Sequence, residues 1–225
     1  MKVTPALLVV AQAVRGDIRA FLRGAIAFAA CTGVAAVVAP TATWQFYSAL
    51  MWDPARTGGV AYIGNQSLRG VWERMAPGHA VVLWAVSSLV VLGVGALGVR
   101  RHRSDPWFAL TIAAVAGLLV SPISWTHHWV WVLPVVAIGI RHRADRKALL
   151  VASLLFLLPC LAQTVLWSRP VAPAWSVDMY ALAGLIWVAV ASQTRPGTRP
   201  PVLPVVLGDN TSASAISPGI TTSQG

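Results

Sequence analysis

Residues 121–134, SPISWTHHWVWVLP, place groups that can bind an anion or move a proton in a strongly apolar setting. The adjacent His127 and His128 can donate hydrogen bonds to an anion or exchange a proton near neutral pH. They suit a metal ion less well, because adjacent helical residues point about 100° apart whereas helical metal pairs favour a spacing of four. The neighbouring tryptophans, Trp125 among them, also fit an aromatic belt at a membrane interface, where a histidine pair is simply solvated.

A second polar group lies in residues 53–75, DPARTGGVAYIGNQSLRGVWERM. Asn65, Gln66 and Ser67 supply amide and hydroxyl groups suited to binding sugar hydroxyls. The arginines of this stretch could neutralise a phosphate or a lipid headgroup: Arg56, Arg69 and Arg74. The alternative is an ordinary polar loop whose arginines rest at the headgroups of a membrane.

Composition indicates what holds these groups in place. The chain has 225 residues, of which 56% are hydrophobic and 11% are charged, whereas soluble domains carry about 25% charged residues. Several apolar runs approach the roughly 18 to 20 residues that span a bilayer core. The sequence therefore predicts an all-α polytopic membrane protein. Its net charge of +10 lies in short loops, so the positive-inside rule accounts for it without a nucleic-acid partner.

The apolar runs predict six transmembrane passes within a membrane domain of residues 1–192. Residues 3–14 are apolar but too short to cross. The predicted passes are 24–39, 80–99, 107–120, 129–140, 148–166 and 178–192. Residues 193–225 are rich in Pro, Ser and Thr, and this composition predicts a disordered cytoplasmic tail.

Basic residues assign the two sides of the membrane. Twelve of them lie in the loops of one side: Arg15, Arg19, Arg23, Arg100, Arg101, Arg103, Arg141, Arg143, Arg146, Lys147, Arg195 and Arg199. The opposite loops hold four: Arg56, Arg69, Arg74 and Arg169. The first set therefore marks the cytoplasmic side. Residues 40–78 and 121–128 are expected to face outward together at the plasma membrane.

The length of residues 107–140 predicts a buried turn between two passes. These 34 residues reach roughly 51 Å as helix, less than the roughly 60 Å that two full passes need. Pro122 favours a break there, because it biases Ser121 away from helix. Irregular backbone at such depth must be buried in protein or line a wet cavity. We therefore expect the turn at 121–128 to lie below the outer surface, with both histidines beside a polar pocket.

Two long runs carry a family resemblance: PTATWQFYSALMWDPARTGGVAYIGNQSLRGVWERM and, downstream, SPISWTHHWVW. They closely resemble the actinobacterial polyprenyl-phosphate-mannose-dependent mannosyltransferases of glycosyltransferase family 87, which belong to the GT-C fold class. The opening KVTPALL is similar to the family's mid-chain segment. The resemblance covers about residues 2–192, everything except the tail.

The resemblance implies a hexosyltransferase acting at the extracytoplasmic face. A polyprenyl-phosphate-mannose donor passes its sugar to a hydroxyl of a lipid-anchored glycan, with a carboxylate as base and a stabilised phosphate leaving group. Substrate-binding residues implied by the matching motifs are Asn65, Gln66, Ser67, Arg69, Trp125, His127 and His128. We expect one histidine to contact the donor phosphate or the acceptor, and Asn65 or Gln66 to orient a sugar. No cofactor and no metal are implied.

The chain departs from this family in length, since family members are roughly twice as long. The first outer loop, where GT-C enzymes place their acidic catalytic residue, would precede this segment, so no catalytic residue is assigned here. Either the start of the gene is misplaced, or the chain is a split or decayed copy, and a split copy would need a separately encoded first half as partner. The alternative is a non-catalytic membrane subunit or pseudoenzyme that binds polyprenyl lipid. A transporter is a weaker third interpretation, because no charged residue falls in the middle of a pass.

Overall fold

A computed structural model describes residues 3–51, 53, 56, 58–142, 146–160 and 178–195. The residues predicted to form the disordered tail lie outside the described residues from 196 onward, as do residues 161–166 of the fifth predicted pass. Within the described ranges the chain is helical and contains no β-strand. The prediction of an all-α protein is confirmed.

Each predicted pass overlaps a helix. In chain order the α-helices of the described residues are α1 Val3–Arg15, α2 Ile18–Val38, α3 Pro40–Gln45, α4 Leu68–Met75, α5 Ala80–Arg101, α6 Pro106–Val120, α7 Val132–Arg141, α8 Lys147–Leu155 and α9 Met179–Gln193. By length and composition, α2 and the segment Pro77–Arg101 could cross a membrane, and the other apolar helices are shorter. The six-pass arrangement therefore stays a prediction.

Helix α6 forms the centre of the bundle. Its sequence PWFALTIAAVAGLLV is apolar around its whole circumference, as expected of a helix buried on all sides. Ile112, Val115 and Leu119 are fully buried, and α1, α5 and α9 pack around them. Small residues let α5 approach closely, since Gly95 lies against Ala116.

The two N-terminal helices differ in their packing. Residues 3–14, expected to be too short for a pass, form most of α1, which packs against α5 and α6 with Ala11 in the core. None of the residues of α2 is buried, and its outer end exposes Val37 and Val38. An exposed apolar helix of 21 residues matches the hydrocarbon core of a bilayer.

Several basic loops meet at one end of the bundle. Arg101 donates to the carbonyl of Ser192 at 2.7 Å, where the C-terminal carbonyls of α9 lack helical partners. Arg141 pairs with Asp105 at 3.2 Å, and Asp105 also caps α6 through the backbone N–H of Phe108. These contacts place three basic loops on the same side, as their charge predicts. The loops 58–76 and 121–131 and the start of α9 lie at the opposite end.

Candidate functional site

The two polar groups singled out in the sequence pack against each other. Asn65 forms an isolated antiparallel β-bridge with Trp125. The backbone N–H of Gln66 donates to the carbonyl of Ser124 at 2.8 Å. The two stretches, which were expected to face outward together, are in direct contact, and the side of the membrane that they face stays a prediction.

Asn65 is fully buried and connects both stretches through its side chain. Its Nδ2 donates to the carbonyls of Val60 at 2.8 Å and Pro122 at 3.2 Å. Its Oδ1 accepts from the backbone N–H groups of Ser67 at 3.3 Å and Ser124 at 2.9 Å. A side-chain amide offers two donor hydrogens and two acceptor lone pairs. All of them bind the protein itself, so Asn65 acts on the shape of the site.

Gln66 and Ser67 extend these contacts to two helices. Gln66 donates through Nε2 to the carbonyl of Ile63 at 2.8 Å and accepts through Oε1 from the backbone N–H of Tyr180 in α9 at 3.2 Å. Ser67 caps α4, because its Oγ accepts from the N–H of Gly70 at 3.1 Å. We call Asn65, Gln66 and Ser67 the polar hub. It joins α4, the turn after α6, and the start of α9.

The polar hub also satisfies the irregular backbone of residues 121–125. Helix α6 ends at Val120, before Pro122, so the predicted break is confirmed. The carbonyl of Pro122 accepts from the side chains of Asn65 and Ser67. Fifteen helical residues rise about 22 Å, less than the about 30 Å of a bilayer core. Buried backbone that is not helical needs hydrogen-bond partners within the protein, and the polar hub supplies them.

Trp125 lies half-buried beneath the outer loop. The ring of Tyr62 meets it edge to face, with centroids 5.7 Å apart. Gly58 has φ +125°, and a Cβ there would lie 3.0 Å from Trp125 Cζ2. Gly64 is equally confined, since a Cβ there would lie 2.8 Å from Tyr62 Cε1. The glycines of the loop therefore allow its backbone to close over the two aromatic rings.

The two adjacent histidines have different environments. His128 is half-buried, and its Nδ1 accepts the backbone N–H of Trp125 at 2.9 Å. An accepting Nδ1 carries no proton, so the neutral ring of His128 is protonated on Nε2. His127 is exposed, with its ring centroid 4.3 Å from that of His128. His128 therefore helps hold the short 3-10 helix Thr126–Trp131, while His127 presents its ring at the surface.

Two of the outer arginines are paired with carboxylates. Arg69, predicted to bind substrate, donates through Nε to Glu73 at 2.8 Å, and its guanidinium lies 5.7 Å from the Trp84 ring centroid. Arg74 forms an ion pair with Asp178 at the start of α9. The acids Glu73 and Asp178 thus hold arginines in position.

Arg74 also holds the loop backbone. It donates to the carbonyls of Tyr62 and Asn65, each at 3.0 Å. This role could not be read from the sequence, where Asp178 lies 104 residues from Arg74. Asp178 is the first residue of the last predicted pass, 178–192, and this position does not indicate a partner. Tyr62 was missed as well, because an aromatic residue in a glycine-rich loop gives no signal of its own.

Comparison with known proteins decides the family. The sequence model of glycosyltransferase family 87 matches residues 1–122, more than half of the chain. The chain belongs to glycosyltransferase family 87. The match includes the polar hub and ends before Trp125, His127 and His128, whose assignment to the site stays a prediction.

Curated relatives of the family match over a longer stretch. A polyprenol-phosphate-mannose-dependent alpha-(1-2)-phosphatidylinositol mannoside mannosyltransferase of Mycobacterium tuberculosis is 31% identical over 220 residues, covering 88% of this chain and 52% of the relative. The protein of the same description from Mycolicibacterium smegmatis is 28% identical over 238 residues, covering 93% and 54%.

A third relative has a phosphatidylinositol pentamannoside in its description. A polyprenol-phosphate-mannose-dependent alpha-(1-2)-phosphatidylinositol pentamannoside mannosyltransferase of Mycobacterium tuberculosis is 32% identical over 213 residues, covering 86% of this chain and 49% of the relative. The chain thus spans about half the length of the curated relatives it matches. No solved structure matches it.

Proposed function

We propose that this chain is part of a membrane mannosyltransferase that uses polyprenyl-phosphate-mannose as donor and a lipid-anchored glycan as acceptor. Membership of glycosyltransferase family 87 supports the reaction class. The relatives' descriptions support the donor and narrow the acceptor to the phosphatidylinositol mannosides. In the reaction an acceptor hydroxyl oxygen bonds to the anomeric carbon and passes its proton to a carboxylate base. The bond from that carbon to the phosphate oxygen breaks, and polyprenyl phosphate leaves with the electron pair.

The observation that carries this proposal is the packing of the two polar stretches, 53–75 and 121–134, against each other. They lie at the end of the bundle opposite the basic loops. Donor and acceptor are both anchored in lipid, so their reacting groups meet at the membrane surface. Because basic loops remain in the cytoplasm, the polar hub and the histidines face outward. The active face is therefore extracytoplasmic in a multi-pass plasma-membrane protein.

The residues of this site form two groups, those that contact substrate and those that position them. Exposed His127 contacts the donor phosphate or the acceptor, and half-buried Trp125 offers an apolar ring edge to a sugar. His128 and the polar hub position them. Asn65 and Gln66, expected to orient a sugar directly, do so in this proposal through the loops that they bind.

The proposal also includes the wider assembly. The helices described here form part of a six-pass GT-C bundle. The catalytic carboxylate comes from the part of the relatives' length that this chain does not span, and Glu73 and Asp178 are paired with Arg69 and Arg74. A carboxylate that acts as general base must lie within about 3 Å of the oxygen of the acceptor hydroxyl.

Deletion of the gene in the source cell tests this function. Mass spectrometry of the extracted phosphatidylinositol mannosides should show species that lack mannose, and membranes should no longer transfer label from polyprenyl-phosphate-mannose. A chromosomal copy should restore both, whereas a copy carrying His127→Ala should restore less than a tenth of the transfer rate. Unchanged glycolipids together with unchanged label transfer in the deletion strain would refute the proposal.

A further inference from the structure

The charges of the outer arginines are not equally available. Arg69 and Arg74 are paired with Glu73 and Asp178. Arg56 has no carboxylate partner among the described residues, and it is exposed. Its guanidinium carbon lies 6.0 Å from the centroid of the Phe46 ring, a cation–π distance. A cation–π contact does not use the N–H donors of the guanidinium, so they remain available to an anion.

Arg56 lies where two parts of the outer surface meet. Phe46 begins the π-helical turn Phe46–Leu50 that follows α3. The next residue, Tyr47, hydrogen-bonds through its hydroxyl to Thr32 of α2 at 3.1 Å. Gly58, two residues beyond Arg56, lies against the ring of Trp125. Arg56 therefore stands between the outer end of α2 and the candidate site.

The surface on the α2 side of Arg56 is strongly apolar. Val37, Val38 and Trp44 are 83%, 78% and 74% exposed. In a membrane these side chains contact hydrocarbon rather than water. A cation beside an exposed hydrocarbon-binding surface fits a ligand with an anionic head and a long apolar chain.

We propose that Arg56 binds the phosphate of the polyprenyl-phosphate lipid, whose chain lies along α3 and the outer end of α2. The guanidinium fork matches two phosphate oxygens at once. The phosphate then sits beside the loop that covers Trp125, and the sugar it carries reaches the polar side of that loop. This inference rests on the proposed function, because that function supplies the identity of the lipid.

A binding measurement tests the role of Arg56 without requiring turnover. The full chain is placed in phosphatidylcholine nanodiscs, and radiolabelled polyprenyl phosphate is titrated in. Arg56→Gln should weaken binding roughly tenfold, the size expected for the loss of one charge-assisted hydrogen bond. Arg56→Lys should weaken it less, because the charge remains while the two-pronged contact is lost.

The matched control is Arg103→Gln, which removes another exposed arginine from a basic loop at the other end. It should bind the probe as the unmodified chain does. Equal binding by Arg56→Gln and the unmodified chain would overturn the inference and leave the proposed function intact. Displacement of the probe by phosphatidylglycerol nanodiscs as effectively as by unlabelled polyprenyl phosphate would also overturn it, since Arg56 would then bind bulk headgroups. Failure of the unmodified chain to bind the probe would overturn the proposed donor as well.

Discussion

The two ends of the bundle differ in which residues hold the backbone and which remain exposed. At the basic end, Arg101 and His102 bind the last carbonyls of α9, and the His102 ring stacks on Phe108 with centroids 3.9 Å apart. At the outer end, loops bind one another through the polar hub, and His127 and Arg56 remain exposed. At the basic end the buried His102 holds a backbone carbonyl. At the outer end the half-buried Arg74 and His128 hold backbone groups, while His127 and Arg56 remain exposed.

The largest loss of stability is expected from a substitution of Asn65, in the polar hub. Asn65→Ala removes four hydrogen bonds and leaves buried backbone groups of two loops without partners. Since each unsatisfied buried group costs about 1–3 kcal/mol, we expect the free energy of unfolding to fall by about 3 kcal/mol or more. Thermal unfolding in detergent measures the change.

The control for Asn65 is Gln45→Ala, which removes an amide from an exposed position and should change the free energy of unfolding by less than about 0.5 kcal/mol. If the two variants unfold alike, the polar hub does not hold the loops together.

A smaller effect is expected from the Arg74–Asp178 pair. Both side chains are largely buried, 17% and 10% exposed, so removing either charge leaves the other without its partner. Arg74→Gln and Asp178→Asn should each destabilise the chain, and the double variant by less than their sum. A double-mutant cycle on thermal unfolding should give a coupling of about 2 kcal/mol. Additive effects would mean that the pair contributes nothing as a pair.

The smallest effect is expected at the basic end, from pH. Burial lowers the pKa of His102 below its ordinary 6.5, so the unfolded chain binds this proton more readily than the folded one. The stability is fully present above pH 6.5 and is lost as the pH falls below that value through the folded pKa. The unfolding temperature should therefore fall on acidification, and His102→Gln should flatten this dependence. An unchanged pH profile in that variant would show that other groups cause it.

Much of the fold follows from local pattern. Apolar runs of suitable length indicate the helices, because a segment in lipid must satisfy its own backbone hydrogen bonds. Pro122 indicates the break after α6. Helix α1 was harder, since thirteen residues are too few to cross a bilayer and its packing against α5 and α6 depends on surfaces elsewhere in the chain.

The candidate site was predictable in its residues and not in their roles. Asn65, Gln66 and Ser67 stood out as polar groups in an apolar chain, and a sugar or a neighbouring loop could equally occupy their hydrogen-bonding groups. The structure brings Pro122 and Ser124 to Asn65. The difference between His127 and His128 has the same origin, since it depends on one backbone N–H, that of Trp125.

The sequence by itself determined the all-helical class, the family and the shared side of the basic loops, because each depends on composition or on a long matching run. The tertiary structure decided which polar groups hold the protein together and which remain exposed. Asn65 meets Pro122 across 57 residues and Arg74 meets Asp178 across 104. Such pairs form only when the helices between them have packed, and no local periodicity specifies them.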